Sequence, residues 1–275
     1  MRSRIFFFDL DGTLLNSRKE LSPGNRAALD AALAQGHRVV IATGRALPDA
    51  LRLARRLELD GDGCYVLSYN GAVIYDCTQK KVIYGRALDR SAMEGLYREA
   101  HKRNLHIQTY DDKSILLEPQ YENNAEIRYY CGVQSISCRI IPGLEAVEQP
   151  VYKVLLIDLQ DRERLEAFSR WVNETYRGIL RSFFSSSSYL EVVDAHVDKG
   201  EAVERLCALL GCCLQDSVAA GDQENDIPMI RRAGLGVCMQ NGIDAAKQCA
   251  DYITVQDNDH DGVAEMIWKV LSNQL

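Results

Sequence analysis

The sequence predicts an α/β protein, a doubly wound parallel sheet with a second α+β unit inserted into it. Strand-like apolar segments alternate with helix-like segments near both ends of the chain, which is typical of a parallel sheet covered on both faces. The first strand, 5–8, is apolar at every position, which indicates burial on both sides. Between these regions, 86–184 has a different texture, with short strands, helices and a tyrosine-rich stretch.

The N-terminal elements alternate as this fold requires. Ser22 and Pro23 supply a hydroxyl N-cap and a first-turn proline, so we expect a helix that begins there and ends at Gly36. Asn70-Gly71 is typical of a tight hairpin turn between two strands. The segments around these signals are predicted as a strand at 37–43, a helix at 47–58 and two strands within 64–76.

The inserted unit is predicted over 86–184, between core segments 1–85 and 185–275. Within it, the stretch from Tyr110 to Tyr130 is predicted as loop, because charged residues and tyrosines follow no period there. The other predicted elements are helices at 89–104, 161–176 and 200–210, strands at 106–110, 151–159, 189–195 and 217–222, and a closing series of short helices and strands from IPMIRRAG to GVAEMIWKVL.

Composition excludes several classes of function. A net charge of -7 argues against sequence-independent binding of nucleic acid, which needs a basic surface. No apolar run approaches the roughly 20 residues that span a bilayer, and the N-terminus lacks a signal-peptide cleavage site, so we expect a cytoplasmic protein. The cysteine count of 9 is odd and contains no CxxC pair, which favours buried, reduced thiols over disulfides or a zinc site.

Two carboxylates follow the first strand. Asp9 and Asp11 are two residues apart, so their side chains point to the same side in an extended chain. Gly12 then allows a sharp exit from the strand. Two close carboxylates repel unless a cation lies between them or one holds a proton. This arrangement suits Mg²⁺, which prefers oxygen ligands, and phosphate chemistry.

Further polar residues lie at the ends of other predicted strands. Thr43 and Asp222 each end a strand, and Lys199 begins the helix after another. The carboxyl ends of parallel strands meet at one edge of a sheet, so these groups can come together. They offer acidic metal ligands, an ammonium and a hydroxyl for an oxyanion, and a carboxylate for attack. The full constellation is Asp9, Asp11, Thr43, Lys199, Asp222 and Asp226.

Each member also has a plainer interpretation. Asp11-Gly12 alone is typical of a turn, Thr43 of a helix cap and Lys199 of a solvated surface. The segment 221–226 is also typical of a capped helix start, and Asn70-Gly71 of a turn rather than a ligand contact. The occurrence of all these residues in one order, each beside a strand end, favours a functional site.

Four motifs together resemble the haloacid dehalogenase superfamily of phosphatases, specifically its Cof-like branch with a large α/β cap. The motifs are FFFDLDGTLL, VVIATGR, Lys199-Gly200 and GDQENDIPMI, and the C-terminal tail is similar as well. The resemblance implies a Rossmann-like catalytic core at 1–85 and 185–275 and a cap at 86–184 that selects the substrate. Two departures are MQNGID at 239–244 and the AHVD that precedes Lys199.

The resemblance also implies a Mg²⁺-dependent phosphatase of small phosphorylated metabolites, such as sugar phosphates, that acts through an aspartyl-phosphate. Asp9 would attack phosphorus, while Asp11 would protonate the leaving alkoxide and must begin protonated, with its pKa raised by Asp9. The implied Mg²⁺ ligands are Asp9, the backbone carbonyl of Asp11 and Asp222, with Asp226 in support. The implied phosphate contacts are Thr43, Gly44, Lys199 and Asn225, and the cap candidates are Tyr110, Tyr121, Tyr129 and Tyr130.

Other functions remain as alternatives. Asp11 argues against dehalogenation, because a halide leaving group needs no acid. A sugar phosphomutase would use the same phosphoaspartate and pass the phosphate to a sugar. A signalling receiver is disfavoured by the chain length and the inserted cap, and a catalytically idle binder by the complete motif set. We expect no nucleic-acid or membrane partner, and a monomer or weak homodimer.

Overall fold

The computed structural model describes residues 3–133 and 136–275. The chain divides into two compact units: the first comprises Met1–Arg45, Ala50–Tyr84 and Asp198–Leu275, the second Ala46–Asp49 and Gly85–Val197. The strands are β1 Ile5–Phe8, β2 Arg38–Ala42, β3 Cys64–Ser68, β4 Val73–Asp76, β5 Lys81–Gly85, β6 His106–Tyr110, β7 Ser114–Leu117, β8 Ser137–Ile140, β9 Val154–Ile157, β10 Leu180–Ser186, β11 Tyr189–Asp194, β12 Ser217–Gly221, β13 Leu235–Cys238 and β14 Tyr252–Ile253.

The first helix begins where its capping residues predict it. Ser22 caps the first helix by accepting a hydrogen bond from the Asn25 backbone N–H, with Pro23 in the first turn, as predicted. In the described residues, no helix is both long and apolar enough to cross a bilayer. The helices are α1 Pro23–Ala34, α2 Leu47–Arg56, α3 Arg90–Lys102, α4 Ala125–Val133, α5 Arg162–Thr175, α6 Lys199–Leu209, α7 Ile227–Arg232, α8 Asp244–Lys247 and α9 Gly262–Leu271.

The first unit contains an eight-stranded sheet in the order β14-β13-β12-β1-β2-β3-β4-β5. Its strands from β14 to β3 pair in parallel, which confirms the predicted fold class. Strands β3 and β4 are antiparallel around Tyr69–Gly71, so the hairpin predicted at Asn70-Gly71 is confirmed. Strand β1 lies in the middle of the sheet, and Phe8 pairs with both Ile41 and Ala220. The residues that follow Phe8, Ile41 and Ala220 along the chain therefore lie at the same edge of the sheet.

The core of the first unit forms around β1, whose four residues are completely buried. Ile5 and Phe7 face a cluster that includes Val203 and Leu206 of α6. Phe6 and Phe8 point to the opposite side of the strand and stack on each other. Burial on both faces removes the whole apolar surface of this strand from water, at about 25 cal/mol per Å². The strand is thus a rigid support for the residue that follows it.

The second unit contains a six-stranded sheet in the order β10-β11-β9-β6-β7-β8. Its pairs are antiparallel except β7 with β8, which are parallel. The fully buried side chains of Leu165, Phe168 and Val172 lie on one side of α5, which packs on β10 and β11. The unit is thus an open sheet with helices, as the α+β prediction requires.

Two predictions within this region are wrong. The stretch 110–130, predicted as loop, contains β7 and the first part of α4. Strand β11, predicted to resume the core sheet, pairs with β9 and β10, and the second unit extends to Val197 rather than to 184. A short apolar strand fits either sheet equally well, so its local pattern does not reveal its partner.

The cysteines are all free, in agreement with the absence of a disulfide pattern. Only part of the burial prediction holds, because four of them are buried and the other five are partly or fully exposed. The buried cysteines are Cys64, Cys77, Cys207 and Cys238, and the others are Cys131, Cys138, Cys212, Cys213 and Cys249.

Candidate active site

Asp9 follows β1 directly and stays within the sheet. Its backbone N–H donates to the carbonyl of Ala220 at 3.0 Å, which extends the pairing of β1 with β12 by one residue. Its side chain is buried, with 8% of the residue exposed. Burial of a carboxylate is unfavourable unless a cation or hydrogen-bond donors meet it. The neighbours of Asp9 therefore determine its state.

The chain turns sharply after Asp9. Leu14 N–H donates to the Asp9 carbonyl at 3.2 Å, and Leu15 N–H to the Leu10 carbonyl at 2.9 Å. Gly12 takes a φ of +85° in this turn, and a Cβ atom there would lie 2.5 Å from Asp222 Oδ2. Only glycine combines this backbone conformation with so close an approach. The turn thus brings its backbone against the carboxylate of Asp222.

Asp222 follows β12 and is held by two donors. Thr13 Oγ1 donates to Asp222 Oδ1 at 2.8 Å, and Gln223 Nε2 donates to Asp222 Oδ2 at 2.9 Å. Asn241, in the segment that departs from the family pattern, donates to the Gly12 carbonyl at 2.7 Å. These contacts fix the Asp222 carboxylate beside the turn, while each oxygen keeps a lone pair for another partner.

Lys199 is the first residue of α6 and is completely buried. Its ammonium lies 2.5 Å from Asp9 Oδ1 and 2.6 Å from Asp226 Oδ1. Burial would lower the pKa of Lys199, but Asp226 and Asp9 raise it well above the usual value. The plain interpretation of Lys199 as a solvated surface residue is therefore wrong.

Asp226 connects this ion pair to the backbone. Its Oδ2 accepts hydrogen bonds from the backbone N–H groups of Asp222 and Gln223, both at 3.0 Å. Gln223 and Asp226 also form a capping box at the turn before α7, so the helix-cap interpretation of 221–226 holds as well. One carboxylate thus caps the turn and orients Lys199.

Three buried carboxylates gather here. Ligand oxygens of Asp9, Asp222 and Asp226 all lie within 4.8 Å of one another. Their charges outweigh that of Lys199, and the pKa values of Asp9 and Asp222 are raised, first by burial and also by Asp226. For Asp9 these effects exceed the lowering by Lys199. An all-oxygen cluster with excess negative charge has the donor chemistry that a hard divalent cation requires.

Asp11 has a different environment from the one predicted. Its carboxylate lies 2.9 Å from Arg45 Nη2 and 2.8 Å from Lys19 Nζ. Burial would raise the pKa of Asp11, but Arg45 and Lys19 lower it below the usual value. The expectation that Asp9 raises this pKa is wrong, because Asp11 contacts two cations, Arg45 after β2 and Lys19 later in the same connection between β1 and α1.

The end of β2 supplies polar groups on the other side of β1. Thr43 is buried, and its Oγ1 accepts a hydrogen bond from the Arg45 backbone N–H at 3.2 Å. Gly44 lies against Asn70, whose amide atoms would be 3.1 Å from a Cβ at Gly44. Asn225 Nδ2 donates to Asn70 Oδ1 at 3.3 Å. The predicted phosphate contacts at β2 and β12 are thus linked through Asn70.

The structure also places here three residues that are not among the predicted site residues: Thr13, Arg45 and Asn70. Arg45 lies within the VVIATGR motif, and its position just beyond a strand end was an available signal. Asn70 is both a turn residue, with a φ of 57°, and a contact of Asn225. Thr13 lies within the FFFDLDGTLL motif, but the direction of its side chain depends on the turn at Gly12.

Comparison with known proteins gives consistent matches along the chain. Residues 6–267 match the family model of haloacid dehalogenase-like hydrolases. YxeH of Bacillus subtilis, provisionally named a phosphatase, is 27% identical over 98% of each chain. YwtE of Bacillus subtilis, a 5-amino-6-(5-phospho-D-ribitylamino)uracil phosphatase by name, is 28% identical over 97% of each chain. A crystal structure of a haloacid dehalogenase-like hydrolase from Bacteroides thetaiotaomicron has a TM-score of 0.88 and 33% identity, covering 98% of this chain and 100% of that one.

Proposed function

Because the chain belongs to the haloacid dehalogenase-like hydrolases and is a phosphatase of that family, we propose that it hydrolyses phosphate monoesters of small metabolites with Mg²⁺ and a covalent aspartyl-phosphate. The observation that carries the mechanism is the buried contact of Asp9 with Lys199, next to the carboxylates of Asp222 and Asp226. A carboxylate held in this way is a preformed nucleophile in a site suited to a dianionic group.

Mg²⁺ fits the cluster by charge and by donor type. The Asp9 and Asp222 carboxylates and the backbone carbonyl of Asp11 would hold it, and Asp226 would support it through Lys199 and the Asp222 backbone. When bound, the cation supplies charge neutralisation for the phosphoryl oxygens. A divalent charge would also relieve the mutual repulsion of the carboxylates, which burial strengthens.

Asp9 would carry the covalent step. An oxygen of its carboxylate attacks phosphorus, the bond to the leaving oxygen breaks, and the phosphoryl group remains on Asp9. Water then attacks this phosphorus, the Asp9–phosphorus bond breaks, and inorganic phosphate and the original carboxylate result. Lys199, fixed by Asp226, would keep Asp9 oriented in both steps, and an ammonium has three donors, of which these two partners use two and a phosphoryl oxygen could use the third.

Asp11 would move the protons. It would protonate the departing alkoxide and then remove a proton from the attacking water. Its lowered pKa means that it is ionised before substrate binds. A dianionic phosphate near Asp11 adds negative charge and competes for Arg45, and both effects raise the pKa of the carboxyl toward protonation. Through its contact with Asp11, Arg45 would thus link binding of the substrate to protonation of the Asp11 carboxyl.

The remaining groups would bind the phosphate. Thr43, Gly44 and Asn225 would contact the phosphate together with Lys199, and Asn70 connects two of them, since it accepts a hydrogen bond from Asn225 and lies against Gly44. Uncatalysed phosphomonoester hydrolysis is so slow that enzymes of this class lower its barrier by on the order of 25 kcal/mol. Several preoriented donors and a cation acting together are needed for an effect of this size.

We propose small phosphorylated metabolites, sugar phosphates among them, as substrates. The relative YwtE is named for a phosphate on a ribitylamino compound, which is a polyol phosphate ester of this kind. Residues that select the leaving group are expected in the second unit, at 86–184 as the sequence predicts or within 85–197 as the structure divides the chain. A cytoplasmic location and a monomeric or weakly dimeric state stay predictions from the sequence.

The test is a screen of phosphorylated metabolites for release of inorganic phosphate, with and without Mg²⁺. Release should require Mg²⁺ and should be abolished in Asp9→Asn, which keeps the size of the side chain but not its nucleophilic charge. Activity that survives in Asp9→Asn would contradict the mechanism. Absence of phosphate release from sugar phosphates without a bisphosphate activator, together with isomerisation of a sugar phosphate when a sugar bisphosphate is added, would point instead to a phosphomutase.

A further inference from the structure

Two cysteines of the second unit lie in contact. Cys131 belongs to α4 and Cys138 to β8, and their Sγ atoms are 3.0 Å apart. Both are free, Cys138 is exposed, and Cys131 is partly exposed. In contrast to the four buried cysteines, this pair is therefore accessible to reagents and already close to bonding distance.

We propose that Cys131 and Cys138 form a reversible intramolecular disulfide. A disulfide bond is about 2.05 Å long, so the two sulfur atoms need to approach by only about 1 Å. Strand β8 is an edge strand, hydrogen-bonded only to β7 among the described strands, so it can accommodate this shift. Formation of this disulfide does not depend on the function proposed for the first unit.

The oxidant is a low-molecular-weight disulfide such as oxidised glutathione. The Cys131 thiolate attacks one sulfur of it, which releases one glutathione thiolate and leaves a mixed disulfide on Cys131. Cys138 then gives up its proton and attacks the Cys131 sulfur, which releases the second glutathione. The two protein thiols lose two electrons and two protons in total, and the glutathione disulfide gains them.

The order of these steps follows from the state of Cys138. Burial and the neighbouring Cys131 sulfur raise the pKa of the Cys138 thiol to about 12, so it stays protonated at neutral pH. It is therefore the second thiol to react, after the mixed disulfide has formed beside it. The 3.0 Å contact between the two sulfur atoms places Cys138 in position to attack the mixed disulfide on Cys131.

The disulfide would restrain α4, the helix that carries Tyr130 and its buried hydroxyl contact. Tyr130, next to Cys131 on α4, has its hydroxyl 2.7 Å from the Tyr110 hydroxyl, and Gln108 Nε2 donates to Tyr110 at 3.2 Å. A disulfide from α4 to β8 closes a loop of only a few residues and limits the motion of this helix. Oxidation should therefore slow hydrogen exchange of α4 amides in the folded protein.

The experiment uses the fact that one tryptic peptide, 129–139, contains both cysteines and no other. The whole protein is treated with oxidised glutathione, alkylated under denaturing conditions and digested. We expect peptide 129–139 to be unalkylated and lighter by two hydrogen atoms, and dithiothreitol to restore double alkylation. A doubly alkylated peptide after treatment, a stable glutathione adduct in the wild type, or a crosslink between two chains would overturn the proposal.

Two variants sharpen the result. In Cys138→Ser the reaction should stop at a glutathione adduct on Cys131, because the resolving thiol is missing. Cys213→Ser removes an exposed thiol elsewhere and should leave the oxidised peptide unchanged. If Cys138→Ser gives no adduct while Cys131→Ser gives one on Cys138, the proposed order of attack is overturned.

Discussion

The Asp11 carboxylate lies 2.9 Å from the guanidinium of Arg45, and this ion pair joins the exit of β1 to the end of β2. Both residues follow strands that are neighbours in the sheet, so the contact is a product of the parallel register. Lys19, further along the same connection between β1 and α1, lies 2.8 Å from Asp11. The carboxyl proposed to move protons is thus held ionised by two cations before any substrate arrives.

Replacement of Arg45 should move the pH profile of phosphate release. Arg45 lowers the pKa of Asp11, so Arg45→Gln should raise that pKa and keep Asp11 protonated to higher pH. The basic limb of the kcat profile, which reports loss of the proton from the acid in the substrate complex, should shift to higher pH. Lys19→Met is the matched control, since Lys19 is more exposed and should shift the limb less. An unchanged limb in Arg45→Gln would mean that Asp11 does not set it.

Mg²⁺ affinity should depend on pH. In the metal-free protein the pKa of Asp9 is raised from about 3.8 to about 7, so folded Asp9 keeps its proton where unfolded Asp9 has lost it. The stabilisation from this proton is complete below about pH 3.8 and is lost as the pH rises through about 7. Mg²⁺ must displace the proton, so its apparent affinity should fall roughly tenfold per pH unit below about pH 7.

Thermal shift titrations with MgCl₂ at several pH values would measure this dependence. Asp9→Asn carries no titratable group at that position and should show weaker Mg²⁺ binding with little dependence on pH. If the wild type bound Mg²⁺ equally well from about pH 5.5 to about pH 8, the raised pKa of Asp9 would not govern the site.

The residues at strand ends could be predicted from the sequence, and those that depend on turns could not. Asp9 and Asp222 follow two strands that pair in parallel, β1 and β12, and the sheet alone is sufficient to bring them to one edge. Lys199 follows β11, which pairs antiparallel with β9 and β10 in the second sheet, so the first sheet does not account for its position. The ionisation of Asp11 depends on Arg45 and Lys19, which reach it from loops whose course no periodicity describes. The structure brings Asp9, Asp222, Asp226 and Lys199 together, whereas the raised pKa that the resemblance implied for Asp11 is wrong.

The elements of the fold divide in the same way into those that local sequence signals predict and those that depend on long-range contacts. Strand β1 and helix α1 could be predicted because buried runs and capping residues are local signals. The assignment of β11 to the second sheet could not, since its partners β9 and β10 are fixed by long-range pairing. Helix α4 was missed because its tyrosines and charged residues form only a weak apolar stripe.

Removal of the Lys199 charge should strongly destabilise the protein. Lys199→Met leaves Asp9 and Asp226 buried without their cation, a change that typically costs about 3–5 kcal/mol. The double variant Lys199→Met with Asp226→Asn should recover part of this loss, because one uncompensated charge is removed with its partner. Neither variant should release phosphate, since the orientation of Asp9 is lost in both.

Urea unfolding without Mg²⁺ would measure these free energies. Arg232→Met is the matched control, because Arg232 pairs with Glu201 at a similar distance of 2.5 Å but both side chains are about one-third or more exposed. Its loss should change the free energy of unfolding by no more than about 1 kcal/mol. A comparable loss in Arg232→Met and Lys199→Met would contradict the view that burial makes the Lys199 pairs important.

Comparison of Gly12→Ala with Gly36→Ala should distinguish the effect of backbone strain from the effect of displacing the Asp222 carboxylate. Both glycines have positive φ, +85° and +79°, so alanine is strained at each by about 1 kcal/mol. A Cβ at Gly12 would lie 2.5 Å from Asp222 Oδ2, whereas nothing lies within 4 Å of one at Gly36. Gly12→Ala should therefore also weaken Mg²⁺ binding at least tenfold, and Gly36→Ala should not, as measured by Mg²⁺ titration of phosphate release. Equal Mg²⁺ dependence in the two variants would show that the approach of Gly12 to Asp222 is unimportant for the metal.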